Sequence, residues 1–106
     1  MANVKKTIEG LSFEWDSEKA NKNVKKHGIS FEEAGLIFQD NSLIEFYDRA
    51  HSIDEKRIIA IGMVNEILSV VYTERHESTI RLISARKATK KEEVMYYEQF
   101  DQYSDY

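Results

Sequence analysis

A chain of 106 residues is long enough for one hydrophobic core and too short for two domains. With 42% hydrophobic and 32% charged residues it has an ordinary globular composition; no apolar run nears the roughly 18 residues that span a bilayer, and no cleavable signal pattern opens it. The absence of Cys excludes disulfides and thiolate metal sites and fits a reducing cytoplasm, while a net charge of -4 argues against a general-purpose nucleic-acid binder.

Residues 1–10 show no sustained periodicity and are expected to form a flexible N-terminal extension. A single domain is expected over residues 11–100, followed by an acidic, Tyr-containing tail at 101–106. Leu11 to Trp15 reads as a short first strand. Asp16 or Ser17 can cap a helix running to about His27, with Ala20, Val24 and His27 as its inner stripe. Gly28 suits a left-handed stop. Ser30 and Glu33 form a capping box for a second helix to about Gln39, with Phe31, Ala34, Ile37 and Phe38 facing inward.

After the turn-rich Asp40-Asn41-Ser42 the period becomes strand-like. Strands are predicted from Leu43 to Asp48, Arg57 to Val64, Ile67 to Glu74 and Thr79 to Ser84. The tight Asn65-Glu66 connection and the Arg75-His76-Glu77-Ser78 loop favour antiparallel hairpins. Gly62, mid-strand, marks a bulge or a close approach to the free face of the sheet. Thr89 and Glu92 make another capping box, opening a helix from Lys90 to about Phe100 with either Val94, Tyr97 and Phe100 or Met95 and Tyr96 inward. The expected architecture is α+β: two N-terminal helices, an antiparallel meander of about four strands plus the short first strand, and a C-terminal helix. The helices share one sheet face and leave the other free for a ligand.

Charge is segregated along this plan. Lys19, Lys22, Lys25 and Lys26 cluster early, and Arg81, Arg86, Lys87, Lys90 and Lys91 form a late block with no acid among them. Acids gather at Glu32, Glu33, Asp40, Glu45, Asp48, Asp54 and Glu55, and again after Glu92. The late block reads as a local anion-binding feature, with a phosphate backbone as its natural ligand. There is no Walker loop, dinucleotide fingerprint, HExxH or nucleophile elbow, and His27, His51 and His76 lack ligand-like spacing, so neither a metal nor a cofactor is expected.

What remains is a set of arginines at strand ends beside titratable groups: His51, Glu55 and Arg57 around one loop, Arg75 closing the third predicted strand, and Arg81 and Arg86 on the fourth and its exit. This equipment suits RNA cleavage without a metal. A base takes the ribose 2′-OH proton, cations stabilise charge at phosphorus, and an acid protonates the 5′-oxygen. Arg fits the middle role because its planar fork binds two phosphate oxygens and keeps its proton. Structural ion pairing is the plainer alternative, with Glu55–Arg57, Glu74–Arg75 and Arg86–Glu92 each worth at most about 1 kcal/mol if exposed. Trp15 reads as core rather than as a stacking platform.

The chain resembles the BrnT family, RelE-like ribonuclease toxins of type II toxin–antitoxin modules. The resemblance rests on Phe13-Glu14-Trp15-Asp16 with Lys19-Ala20 and Asn23, and on Lys26-His27-Gly28-Ile29-Ser30-Phe31-Glu32-Glu33-Ala34. It continues through His51-Ser52, Glu55, Arg57 and Gly62, then Val71-Tyr72-Thr73-Glu74-Arg75, Arg81-Leu82-Ile83-Ser84-Ala85-Arg86-Lys87-Ala88 and Glu92. It implies RNA cleavage that halts translation and growth. It also implies neutralisation by a BrnA-like antitoxin with a ribbon-helix-helix part, through which alone DNA is bound. Asn41 stands where the family often has Pro, a loop change. On this basis His51, Glu55, Arg57, Arg81 and Arg86 are the catalytic candidates and Arg75, Lys87, His27 and Lys19 the RNA-binding ones. His51, Glu55 and His27 are all open as the base. A catalytically weak or inactive binding partner that only completes an antitoxin-based repressor complex is the alternative.

Overall fold

The computed structural model describes residues 2–52 and 55–101; of the expected tail at 101–106, Asp101 ends the last helix and 102–106 lie outside the described residues. Asn3–Ile8 forms strand β1 and Leu11–Asp16 strand β2, followed by helix α1 at Ser17–His27 and a short α2 at Phe31–Gly35 that tightens into a 3₁₀ turn at Leu36–Gln39. Then come β3 (Ile44–Tyr47), β4 (Ile58–Val64), β5 (Glu66–Arg75), β6 (Thr79–Lys87) and helix α3 (Lys90–Asp101). All strands join one six-stranded sheet in the order β1-β2-β6-β5-β4-β3.

Two features of the sheet correct the expected plan. The chain opens with a hairpin, not with helices or a frayed segment: β1 pairs antiparallel with β2 from Asn3↔Asp16 to Ile8↔Leu11. The hairpin turns at Glu9 and Gly10, both at positive φ (49° and 82°), a twist that matches the strands it joins and that Gly10 adopts without penalty. Val4 and Ile8 then pack on the core. The sheet is also mixed, because β2 runs parallel to β6 through Phe13↔Ile80 and Glu14↔Arg81, while β3 to β6 form the expected antiparallel meander.

Helices cover both faces rather than one. On the first, α1 and α2 bury Phe13, Trp15, Ile29, Phe31, Ala34, Ile37, Leu68, Val70, Tyr72 and Leu82. Trp15 is core, edge-on to Phe31 at 5.9 Å between ring centroids. Gly62 serves this face and not the free one: a Cβ there would lie 2.9 Å from both Ile37 Cβ and Leu43 Cδ1. The irregularity in the sheet is elsewhere, a bulge at Val71/Tyr72.

The caps form as the sequence indicates. Asp16 accepts from the Lys19 N–H at 3.0 Å and Ser30 Oγ from the Glu33 N–H at 3.0 Å, and Gly28 (φ 71°) ends α1. The inner stripe of α1 is rotated, however. Val24 is 45% exposed, Ala20 and His27 are half-buried, and the buried residue is Asn23. Its amide donates to Ile29 O (2.9 Å) and Ala85 O (2.8 Å) and accepts from the Ala85 N–H (3.1 Å). Pairing of β2 with β6 stops at Arg81, so beyond it the β6 edge has no strand beside it, and the Asn23 side chain supplies the missing donor and acceptor.

α3 lies on the opposite face, where Tyr96 packs with Ile61 and Ile67, and Val94, Tyr97 and Phe100 point outward. The Tyr96 hydroxyl donates to Asp40 Oδ2 at 2.5 Å, and Asp40 also accepts the Ser42 and Met63 N–H groups, each at 2.9 Å. Burial alone would raise the Asp40 carboxyl, but these donors outweigh it and hold it below the usual carboxylate range. Burial, reinforced by Asp40, pushes the Tyr96 hydroxyl up to about 12.

Replacing Asn23 by Ala strands three buried backbone groups at once. Asn23→Ala is expected to cost about 2–4 kcal/mol in urea unfolding. A loss below about 0.5 kcal/mol, the size of an ordinary surface change, would show that the clamp is incidental. Gly62→Ala is expected to cost about 1–3 kcal/mol by overpacking against Ile37, read as a lower thermal midpoint.

Candidate nucleic-acid interface

Side chains alternate along a strand. Tyr72 of β5 faces the α1–α2 core, so Thr73 and Arg75 face the α3 side. Register carries this across the sheet: Thr73 is opposite Arg81, Arg81 opposite Glu14, and Glu14 opposite Lys5. Ile58 pairs with Tyr72, which sets the preceding Arg57 beside Thr73. The outcome is a polar row, Lys5, Glu14, Arg81, Thr73 and Arg57, with Arg75 and Thr79 one step further along. α3 covers the other end of this face, over Ile61 and Ile67, and leaves the row uncovered.

Two of the three arginines in and beside this row are engaged. Arg81 Nη1 donates to Glu14 Oε2 at 2.5 Å and to Asn3 Oδ1 at 2.8 Å, with the Arg81 and Glu14 side chains 25% and 17% exposed. Arg75 grips Glu55 with both nitrogens, at 3.0 and 3.2 Å. Arg57 makes no ion pair among the described residues. Thr73, flanked in register by Arg81 and Arg57, is fully buried, and its Oγ1 has no hydrogen-bond partner among the described residues.

Arg86 does different work. Its fork holds Glu92 at 2.7 and 3.1 Å, Glu92 also accepts from Ser69 Oγ, and Thr89 and Glu92 cap each other as the spacing predicts. Burial would raise the Glu92 carboxyl, yet Arg86, the Thr89 N–H and Ser69 together hold it below the usual range. Arg86 therefore fastens the first turn of α3 to the sheet. Lys87 is exposed, 3.6 Å from Glu66 Oε1.

The structure thus brings Arg57, Arg75 and Arg81 together, with Glu55 joined through Arg75. His51 sits in an exposed 3₁₀ turn, its Nδ1 2.9 Å from Asp48 Oδ2. That turn is tied to Arg57, since Ser52 Oγ accepts the Arg57 N–H and the Asp48 N–H donates to Arg57 O. Lys19 and His27 lie on α1, which packs on the other face. Arg86 and Lys87 lie at the far end of β6. Sequence reading attached no role to Glu14, Thr73 or Lys5. Glu14 and Thr73 stand inside recognisable signatures, but only the register of the sheet reveals their neighbours. Among the described residues no group of three or more His, Cys, Asp or Glu side chains is arranged to hold a metal ion, and no helix is long and apolar enough to cross a membrane.

A family model for the ribonuclease toxin, BrnT, of type II toxin–antitoxin systems matches residues 15–92. The crystal structure of the Brucella abortus ribonuclease toxin, BrnT, superimposes with a TM-score of 0.56 at 30% identity, over 72% of this chain and 94% of that one. No curated protein matches the chain.

Because the Asp40 and Glu92 carboxyls are depressed in the folded state, their contribution to stability is complete above the ordinary carboxylate pKa of about 4 and is lost as pH falls through the lowered values. Thermal stability should hold from neutral pH to about 4 and then decline. Arg86→Ala is expected to lower the melting temperature at pH 7 by about 4–8 °C. An unchanged midpoint would show that the Arg86–Glu92 pair does not hold α3.

Proposed function

Since the chain belongs to the BrnT family of ribonuclease toxins of type II toxin–antitoxin systems, we propose that it is a metal-independent endoribonuclease that cleaves RNA in the cytoplasm, halts translation and growth, and is neutralised by a BrnA-like ribbon-helix-helix antitoxin. The observation that carries this reading is the row of Arg81, Thr73 and Arg57 on the helix-free part of the sheet, with Arg75 beside it. A phosphodiester laid across the row meets two guanidinium groups, each able to donate two parallel hydrogen bonds to phosphate oxygens. The antiparallel β3–β6 meander backed by α1 and α2 supports the RelE-like reading of the fold.

In the proposed reaction a base removes the ribose 2′-OH proton, the resulting oxyanion attacks phosphorus, and the bond to the 5′-oxygen breaks as an acid protonates it. The products are a 2′,3′-cyclic phosphate and a 5′-hydroxyl end. Arg81 and Arg57 stabilise the charge that builds on the non-bridging oxygens. Glu55 and His51 are the acid/base pair of this proposal, both within the loop that leads to Arg57, and Arg75 orients Glu55. Arg81 must exchange Glu14 for phosphate. Phosphate offers the same guanidinium a charged oxygen acceptor in place of the carboxylate, so the exchange replaces one charge-assisted hydrogen bond by another.

A second reading has an observation in its favour. Arg75, Arg81 and Arg86 are all held in ion pairs, the pattern of a binding protein that only completes an antitoxin-based repressor. In either reading DNA is contacted by the antitoxin, and the acidic surface of this chain meets a basic stretch of that partner. Complex affinity should then weaken as salt rises, and salt-independent affinity would count against that contact.

Expression without antitoxin separates the readings. Wild-type protein is expected to arrest growth and create new RNA ends, whereas Arg81→Ala, folded by its melting curve, is expected to do neither. Soluble wild-type protein that leaves growth and RNA intact would establish the binding-only reading. Full toxicity of Arg81→Ala would remove Arg81 from the mechanism.

A further inference from the structure

Residues 3–14 precede the segment matched by the family model, and they build most of the β1–β2 hairpin. Lys5 and Thr7 of β1 stand opposite Glu14 and Ser12 of β2, on the same face as the arginine row. With Arg75, His76 and Thr79 around the β5–β6 turn, Lys5, Thr7 and Ser12 line an open cleft of about 590 Å³. It lies at the end of the sheet opposite α3 and runs into the row at Glu14.

Most cations around this cleft already have partners. Arg81 is held by Glu14, Arg75 by Glu55, and Lys6 by Glu32 at 3.0 Å. Lys5 is exposed and makes no ion pair among the described residues, because Glu14, the carboxylate facing it in register, is taken by Arg81. His76 is exposed at the cleft mouth and likewise makes no ion pair among the described residues. Glu77 also borders the cleft, exposed on the turn. An unclaimed ammonium, an imidazole and three hydroxyls form a donor-rich wall beside a guanidinium row, which is what a chain of phosphates and ribose hydroxyls requires.

We propose that this cleft holds the sugar–phosphate backbone of single-stranded RNA next to the cleavage site, with Lys5 binding a phosphate other than the scissile one. The inference rests on the proposed ribonuclease activity and adds a substrate track to it. Lys5 is two strands away from Arg81, about 10 Å at the usual strand spacing. A phosphate held between Arg81 and Arg57 sits over Thr73, one strand further still and about 14 Å from the Lys5 backbone at that spacing, so Lys5 meets a neighbouring one. The hairpin thereby gives this chain a longer RNA footprint than the row alone supplies.

The test compares wild type, Lys5→Ala and Lys5→Arg on a short single-stranded oligoribonucleotide and on the dinucleotide of its mapped cleavage site, which carries only the scissile phosphate. Lys5→Ala is expected to raise KM for the oligonucleotide by about three- to tenfold with kcat unchanged, and to reduce the salt slope by about 0.7. Lys5→Arg should restore both, and the dinucleotide should be cleaved equally by all three. Unchanged KM on the oligonucleotide, or an equal loss on the dinucleotide, overturns the proposal. If the wild type cleaves neither substrate, the expression experiment above decides the activity, and fluorescence anisotropy with the 2′-O-methyl oligonucleotide decides the cleft. Weaker binding by Lys5→Ala with a shallower salt slope supports it, and equal affinity overturns it.

Discussion

The side-chain amide of Asn23 is the constraint on which the arrangement depends. β2 leaves the sheet at Asp16 to become α1, which would expose the inner edge of β6 to an apolar core. Asn23 closes that edge with three hydrogen bonds to the backbone of Ala85 and Ile29. By pinning α1 to β6 it also holds β2 beside β6 in the register that sets Glu14 against Arg81. A slip of one residue would turn Arg81 toward Phe13 and Leu82 and bring apolar groups to the ligand face. A buried polar group is therefore what keeps the charged row on the correct side.

The basic block between Arg81 and Lys91 looks like one feature along the chain and becomes two in space. Arg81 stands opposite Thr73 and Arg86 opposite Ser69, four residues of β5 apart across the bulge, about 13 Å. That distance takes Arg81 to the open row and Arg86 beneath α3, where a carboxylate claims both arms of its fork. Two arginines of the same strand thus differ in role because one meets a helix and the other does not. Lys90 and Lys91 sit on the exposed first turn of α3 and belong to neither.

Local signals were readable from residue order where they involve short spacings. The caps at Asp16, Ser30 and Thr89, the stop at Gly28 and the four meander strands all depend on neighbours within a few positions. The β1 strand was hidden because Lys5 and Lys6 interrupt its apolar alternation and its turn places Glu9, not only a glycine, at positive φ. The α1 stripe was misjudged because a helical wheel ranks Val24 above Asn23, and only an unpaired strand edge reverses that order. Of the candidate site, Arg81 could be seen from the strand alternation. Its partner Glu14 could not, since nothing local links residues 67 positions apart.

That separation also bears on synthesis. Glu14 emerges early from the ribosome and Arg81 late, and β6 must be free before β2 can find its parallel partner. Contacts between such distant segments are slow to form and complete the sheet only when nearly the whole chain is available. A nascent chain therefore carries the segments of β1, β2, α1 and α2 before the row is assembled, and the ligand face exists only once β6 has paired with β2 and β5.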